Sequence, residues 1–316
     1  MVKVAIAGGS GQVAKEVIDA LTKTNSHDIL CFTRKSSNEN LGESSFWRVV
    51  DYEDVNNLVE NLRGVHTILS FIQILSDIDQ KSQKNLIDAA IIAGVKRFAP
   101  SEYGSAGTDN MAWWEGKQKV REYLKKINCN SKVLEYCLFQ PGIFLDYLAF
   151  PHKTATYVDP LQTVFDFQNR RAIVVDGFEN AMITMTAVRD LANIMARAVD
   201  YKGEWPEIGG IQGNKISVSQ IIKIGERIRG REFAIDRTSI HDLEVGKLET
   251  TWHLGVRHKA VSEEQATDML KQVTVGMLVS IAKGAWDGSD EWNQLFSEYE
   301  FIDLESFLGM IWHEKL

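Results

Sequence analysis

The chain has 316 residues, 44% of them apolar and 25% charged, enough for a full hydrophobic core in one large domain or two medium ones. A net charge of −8 excludes the basic surface that a nucleic-acid or anionic-membrane partner would need. No apolar run reaches the roughly 18 residues of a membrane span, and the N-terminus reads as a buried strand rather than a signal peptide. Cys31, Cys129 and Cys137 match neither a disulfide framework nor a zinc pattern, and Cys31 and Cys137 fall in strands, where core packing accounts for them. The expectation is a reduced, cytoplasmic protein that handles a small molecule as a monomer or homodimer.

The apolar strand over 2–7 runs into Gly8-Gly9-Ser10-Gly11, after which Val13, Val17, Ala20 and Leu21 recur at helical spacing. Gly8 permits a sharp turn, Gly11 lets backbone approach a pyrophosphate, and Ala14 keeps the helix close to the strand. The helix start directs N–H groups and a partial positive charge at phosphates, so Ser10, Gln12 and Val13 join the two glycines as candidate cofactor contacts. The alternative is a strand–turn–helix with no ligand. Further strands over 28–33, 46–51, 66–72, 95–100 and 132–140 alternate with helices over 11–24, 52–62, 77–93 and 115–127. Near-continuous apolar strands of this kind imply a Rossmann-type, doubly wound parallel sheet of the α/β class over 1–150. After Pro141-Gly142 the alternation loosens, with a strand over 181–186 and helices from 188, over 217–229 and over 263–282. Residues 151–316 read as a smaller α+β substrate-covering region interleaved with the sheet.

In NAD-binding folds an acid about 20 residues past the glycines holds the ribose 2′-hydroxyl. Here the second strand ends Thr33-Arg34-Lys35-Ser36, with two cations and no acid. Arg34 can grip a 2′-phosphate with its planar fork, Lys35 adds a point charge, and Thr33 or Ser36 can donate, so NADP(H) is expected over NAD(H). A solvated basic loop end is the alternative. Asp51-Tyr52 ends the third strand where an adenine would lie, or Asp51 only caps the next helix. Ser70, Phe71 and Gln73 end the fourth strand, beside the expected pyrophosphate and nicotinamide ribose.

The fifth strand ends Pro100-Ser101-Glu102-Tyr103-Gly104, and ligands in open α/β sheets bind outside such ends. Ser101, Glu102 and Tyr103 are therefore expected to project toward the site. On the following helix Lys117 shares a face with Trp113, Val120 and Leu124, an unusual place for a lysine unless it snorkels. Glu115 is either a general acid or base, or an i,i+4 partner of Lys119. Trp113 and Trp114 cannot both face inward; one is a candidate wall for an aromatic substrate. His253 and His258 lack ligand spacing, so no metal is assigned.

The GGSGQVA turn, Arg34, FAPSEYG, the lysine of Lys117-Gln118-Lys119-Val120-Arg121, and FQPGIFLDY occur in that order. Together they resemble the NmrA-like and isoflavone reductase-like family of atypical short-chain dehydrogenases, well over roughly the first 200 residues and loosely beyond. The resemblance implies that Lys117 is catalytic and that Gly8, Gly11, Arg34 and Lys35 bind NADPH. It also implies that Phe139, Pro141, Gly142, Ile143 and Phe144 line the nicotinamide and substrate. Typical short-chain dehydrogenases use Tyr-x-x-x-Lys, whereas Trp113 stands four residues before Lys117. The expected activity is NADPH-dependent reduction of an aromatic or alkaloid-like small molecule of secondary metabolism. A redox-neutral rearrangement with NADP(H) bound and a non-catalytic dinucleotide sensor are the alternatives.

Overall fold

The structure is a computed structural model that describes residues 1–34, 46–255 and 263–313. Six short strands, β1 (Lys3–Ala7), β2 (Asp28–Thr33), β3 (Phe46–Val49), β4 (Thr67–Ser70), β5 (Arg97–Ala99) and β6 (Glu135–Tyr136), pair in the order β3-β2-β1-β4-β5-β6. Every pairing is parallel. Parallel neighbours need crossovers, supplied here by α1 (Gln12–Thr24), α2 (Val55–Leu62), α3 (Lys81–Ala93) and α4 (Glu115–Ile127). The result is the doubly wound order in which a dinucleotide binds where the strand order reverses, between β1 and β4.

Local chemistry explains the elements. Asp54 caps α2 by accepting from the N–H groups of Asn56 and Asn57. Gly94 ends α3 in the left-handed conformation. The carboxylate of Asp77 accepts from Ser82 and Gln83 N–H at 2.8 and 3.1 Å, closing the start of α3. A 3₁₀ turn over Ile78–Gln80 replaces the first turn of the helix expected from 77, and another over Ile74–Ser76 precedes it. Ala5, Leu30, Ile68 and Phe98 of the sheet pack with Leu58, Leu86, Val120 and Leu124 of the helices in one buried core.

The chain forms two compact units. Met1–Tyr103, Trp114–Phe139 and Leu191–Gly209 make up the first; Gly104–Trp113, Gln140–Asp190 and Gly210–Leu316 make up the second. The expectation set one boundary at 150 with a second region interleaved with the sheet; here the chain passes between the units repeatedly, and the two are comparable in extent. The cause of one return is visible in the sheet unit. Arg97 of β5, nearly buried, pairs with Glu135 of β6 at 2.8 Å and donates to the carbonyls of Tyr201 and Gly203. Its guanidinium also lies 5.2 Å from the Trp205 ring centre. A buried guanidinium needs several acceptors, and the 191–209 segment supplies them.

In the second unit Met182–Thr186 pairs parallel with Ile143–Phe144 and antiparallel with Asn214–Ser217. Arg171–Val175 pairs parallel with Ala234–Thr238 and antiparallel with Phe165–Asp166. Ser217 and Gln220 form a reciprocal capping box at the helix Val218–Arg229. Among the described residues no helix is long and apolar enough to cross a membrane.

Gly142 has φ +74, and a Cβ there would overlap the carbonyl oxygen of Thr184. Gly177, at φ +82, has open space instead. Gly142→Ala is expected to cost at least about 2 kcal/mol in urea unfolding, and Gly177→Ala only the conformational part of that, about 1–2 kcal/mol.

Candidate active site

At Gly8 the phosphate-binding turn is bare backbone by necessity. Gly8 has φ +71, and a Cβ on it would stand 2.7 Å from the carbonyl oxygen of Phe71. Gly11 caps α1 with no side-chain hydrogen bond, and its N–H donates to Gly8 O at 3.0 Å. Gln12 and Val13 take the first two positions of α1, where N–H groups have no carbonyl one turn back within the helix. This is the cradle a pyrophosphate fits. Gly8, Ser10, Gly11, Thr33, Arg34, Phe71 and Gln73 line a cleft of about 340 Å³ over it. Arg34 is exposed at its rim. Lys35, Ser36 and His258 lie outside the described residues.

Two expected cofactor contacts are directed elsewhere. Ser70 is fully buried, and its hydroxyl donates to Gln83 Oε1 at 3.3 Å. Asp51 neither lines the cleft nor caps α2; its Oδ1 accepts from Glu53 N–H at 2.9 Å, which closes a turn. Tyr52, named with Asp51 at the strand end where an adenine would lie, lines the cleft.

The segment after β5 is held by a buried ion pair. Glu102, 2% exposed, accepts from Arg121 Nε at 3.1 Å and from Nη2 at 2.7 Å. The Glu102 side chain therefore turns inward to α4, correcting the expectation that it faces substrate. The next residue, Tyr103, takes φ +32, and its ring stacks on Phe71 with centroids 4.6 Å apart and planes 12° apart. Its hydroxyl is buried with no hydrogen-bond partner among the described residues. Burial holds that phenol well above its ordinary pKa, so it stays protonated.

Lys117 is 5% exposed, in the first turns of α4. Its ammonium donates to the carbonyl oxygen of Glu102 and sits 3.3 Å from the Trp114 ring centroid. Desolvation pushes its pKa down from 10.5 to about 7, with the Glu102 carboxylate opposing and Arg121 reinforcing the shift. The aromatic partner is not the expected one. A 3₁₀ turn over Ala112–Trp114 precedes α4, so Trp113 is off the helix that would put it on the Lys117 face. In the second unit the Trp113 indole fills the space beside Gly276, where a Cβ would stand 2.7 Å from it. Glu115 is corrected as well: its side chain is 70% exposed and pairs with Lys119 at 3.1 Å, a solvent-side contact rather than a proton-transfer position.

Phe139 is fully buried in the first unit, edge-on to Trp205 at 5.6 Å, and is core. Pro141, Gly142, Ile143 and Phe144 belong to the second unit, where Phe144 packs edge-on against Tyr147 at 5.4 Å.

The NmrA-like family model matches residues 2–263. The chain belongs to the NmrA-like family. Among relatives of this NmrA-like chain, oxidoreductase BOA1 of Botryotinia fuckeliana is 31% identical over 76% of the chain and 80% of that protein. Oxidoreductase swnN of Metarhizium robertsii is 25% identical over 100% of the chain and 98% of its own length. The fold is shared with a structure described as AtPrR2 with NADP+ and (+)-pinoresinol, at TM-score 0.71 and 15% identity over 98% of both chains. It is also shared with a leucoanthocyanidin reductase–NADPH complex of Vitis vinifera, at TM-score 0.68 and 15% identity over 98% of both.

Two predictions follow from these contacts. Glu102→Ala removes the carboxylate that meets a buried guanidinium and should cost about 3–5 kcal/mol in urea unfolding, whereas Glu115→Ala, breaking an exposed pair, should cost under about 0.5 kcal/mol. Between pH 7 and 10.5 the unfolded chain holds a proton on Lys117 that the native protein has lost, so this group's contribution to stability rises with pH across that window. Lys117→Met should therefore be more stable than the parent below pH 7, and thermal melts should show that advantage shrinking toward pH 10.

Proposed function

We propose that this NmrA-like protein is an NADPH-dependent reductase of an aromatic or alkaloid-like small molecule. The observation that carries the reading is a desolvated lysine, Lys117, held against Trp114 and Glu102 O in the segment whose Tyr103 packs on the cleft residue Phe71. The oxidoreductase names of its relatives support the reading, as do neighbouring structures of NADP(H)-bound reductases.

The glycine turn and the first turn of α1 would hold the pyrophosphate, and Arg34 would take the 2′-phosphate in preference to a bare ribose. When bound, NADPH supplies the hydride. Lys117 has three N–H donors, of which Glu102 O accepts one. Another is available to the substrate oxygen on which negative charge develops, directly or through water. With a pKa of about 7 the ammonium is a far stronger acid than a solvent lysine, yet still charged in half the molecules at neutral pH. Tyr103, kept protonated, is a second donor, and its ring, with Phe71, is an aromatic surface for a planar substrate.

With aromatic ketones, quinones and benzylic ethers as test substrates, product should form one-for-one with loss of NADPH absorbance. Lys117→Ala should lower kcat by about 10²–10⁴-fold while leaving the NADPH dissociation constant within about twofold. The parent kcat should fall as pH rises through about 7, because the acid form of Lys117 is the working form. Product without NADPH loss would instead mean a rearrangement. Tight NADPH binding with no turnover of any test substrate would favour a sensor.

A further inference from the structure

Tyr52 follows β3 directly after Asp51, and it is 5% exposed. Its ring is part of the core that includes Val50, Leu58 and Leu86, and Asn85 Nδ2 donates to its carbonyl oxygen at 2.8 Å. Ring and main chain are thus both fixed, and the hydroxyl has one place to be. That place is the glycine turn: the Tyr52 oxygen accepts from Gly8 N–H at 3.3 Å, and the residue lines the same cleft as Gly8, Gly11 and Arg34.

A phenol oxygen that accepts one hydrogen bond still has its own O–H to give. Among the described residues nothing accepts it. A buried donor without an acceptor is costly, and the residue that carries this one lines the same cleft as the glycine turn. Burial holds the phenol above its ordinary pKa, so the proton is present to be donated. Accepting from Gly8 polarises the hydroxyl and strengthens what it donates in turn, most of all to an anion.

We infer that Tyr52 is a ligand of the dinucleotide, its hydroxyl bridging Gly8 N–H and one oxygen of the pyrophosphate. The inference rests on the dinucleotide reading above and adds to it a side-chain donor from outside the glycine motif. Arg34 bears electrostatically on the same hydroxyl, so a 2′-phosphate is the other anion within the chemistry of this corner. The two phosphates separate experimentally, because NAD+ carries only the pyrophosphate and 2′-AMP only the 2′-phosphate.

Titration calorimetry of the parent, Tyr52→Phe and Arg34→Ala with NADP+, NAD+ and 2′-AMP tests this. Tyr52→Phe keeps the ring and removes only the hydroxyl. It should weaken NADP+ and NAD+ by the same factor, about tenfold or more, with 2′-AMP affinity and melting temperature nearly unchanged. Arg34→Ala should show the reverse pattern, weakening NADP+ and 2′-AMP and sparing NAD+. Parent-like affinity of Tyr52→Phe for both dinucleotides would overturn the inference while leaving the reductase reading intact. So would a loss confined to NADP+, or a loss of all three ligands in step with a lower melting temperature. A parent that binds neither dinucleotide would overturn both readings.

Discussion

A carboxylate buried to 2% exposure cannot be left alone, and the pairing of Glu102 with Arg121 is the constraint on which the reactive segment depends. Isolated, either charge would lose several kcal/mol of hydration; paired through two hydrogen bonds, each has its polar atoms met. The pair anchors the chain just past β5 to α4. With the Glu102 side chain drawn into α4, its carbonyl oxygen receives the Lys117 ammonium and Tyr103 is carried into the left-handed region against Phe71. A non-glycine residue there stores about 1–3 kcal/mol of strain, which the surrounding contacts must hold. Mutual positioning of lysine, tyrosine and cleft wall therefore traces to one ion pair.

A second set of contacts ties that segment to α3. Gln83 Oε1 accepts from Ser101 N–H at 3.0 Å and from the Ser70 hydroxyl, and its Nε2 donates to Gln80 Oε1 at 3.4 Å. Gln80 in turn donates to the carbonyls of Ile74 and Asp77, and Gly116 of α4 leaves room for it where a Cβ would not. A buried network that is satisfied at each step is stiff, and stiffness is what a proton donor needs for its geometry. The ends of β4 and β5 and the starts of α3 and α4 thus behave as one piece.

The sheet and its glycine turn were legible because their signals are local. The alternation of strands and helices sets the parallel order, and only a residue without a side chain fits a Cβ position 2.7 Å from Phe71 O. Lys117 was legible for the same reason, being a lysine on an apolar stripe. What failed were inferences about which way one side chain points. Past the end of β5 Tyr103 takes a positive φ, and the partner that turns Glu102 inward stands 19 residues later at Arg121. Trp113 was assigned a helical phase, but the 3₁₀ turn before α4 breaks that phase. Ser70 and Gln83 are 13 residues apart, a contact no periodicity encodes. The 191–209 return answers the needs of Arg97, far away in the chain, a contact that no local pattern encodes.

The claim that most of this account rests on is that Lys117 is desolvated and poised near neutrality. It can be measured directly, by NMR titration of protein labelled with ¹⁵N or ¹³C in its lysine side chains, the Lys117 signal being identified by its absence from Lys117→Met. A midpoint near pH 7, separated from the other lysines, is the result expected. A Lys117 signal that titrates near 10.5 with the surface lysines would contradict the account.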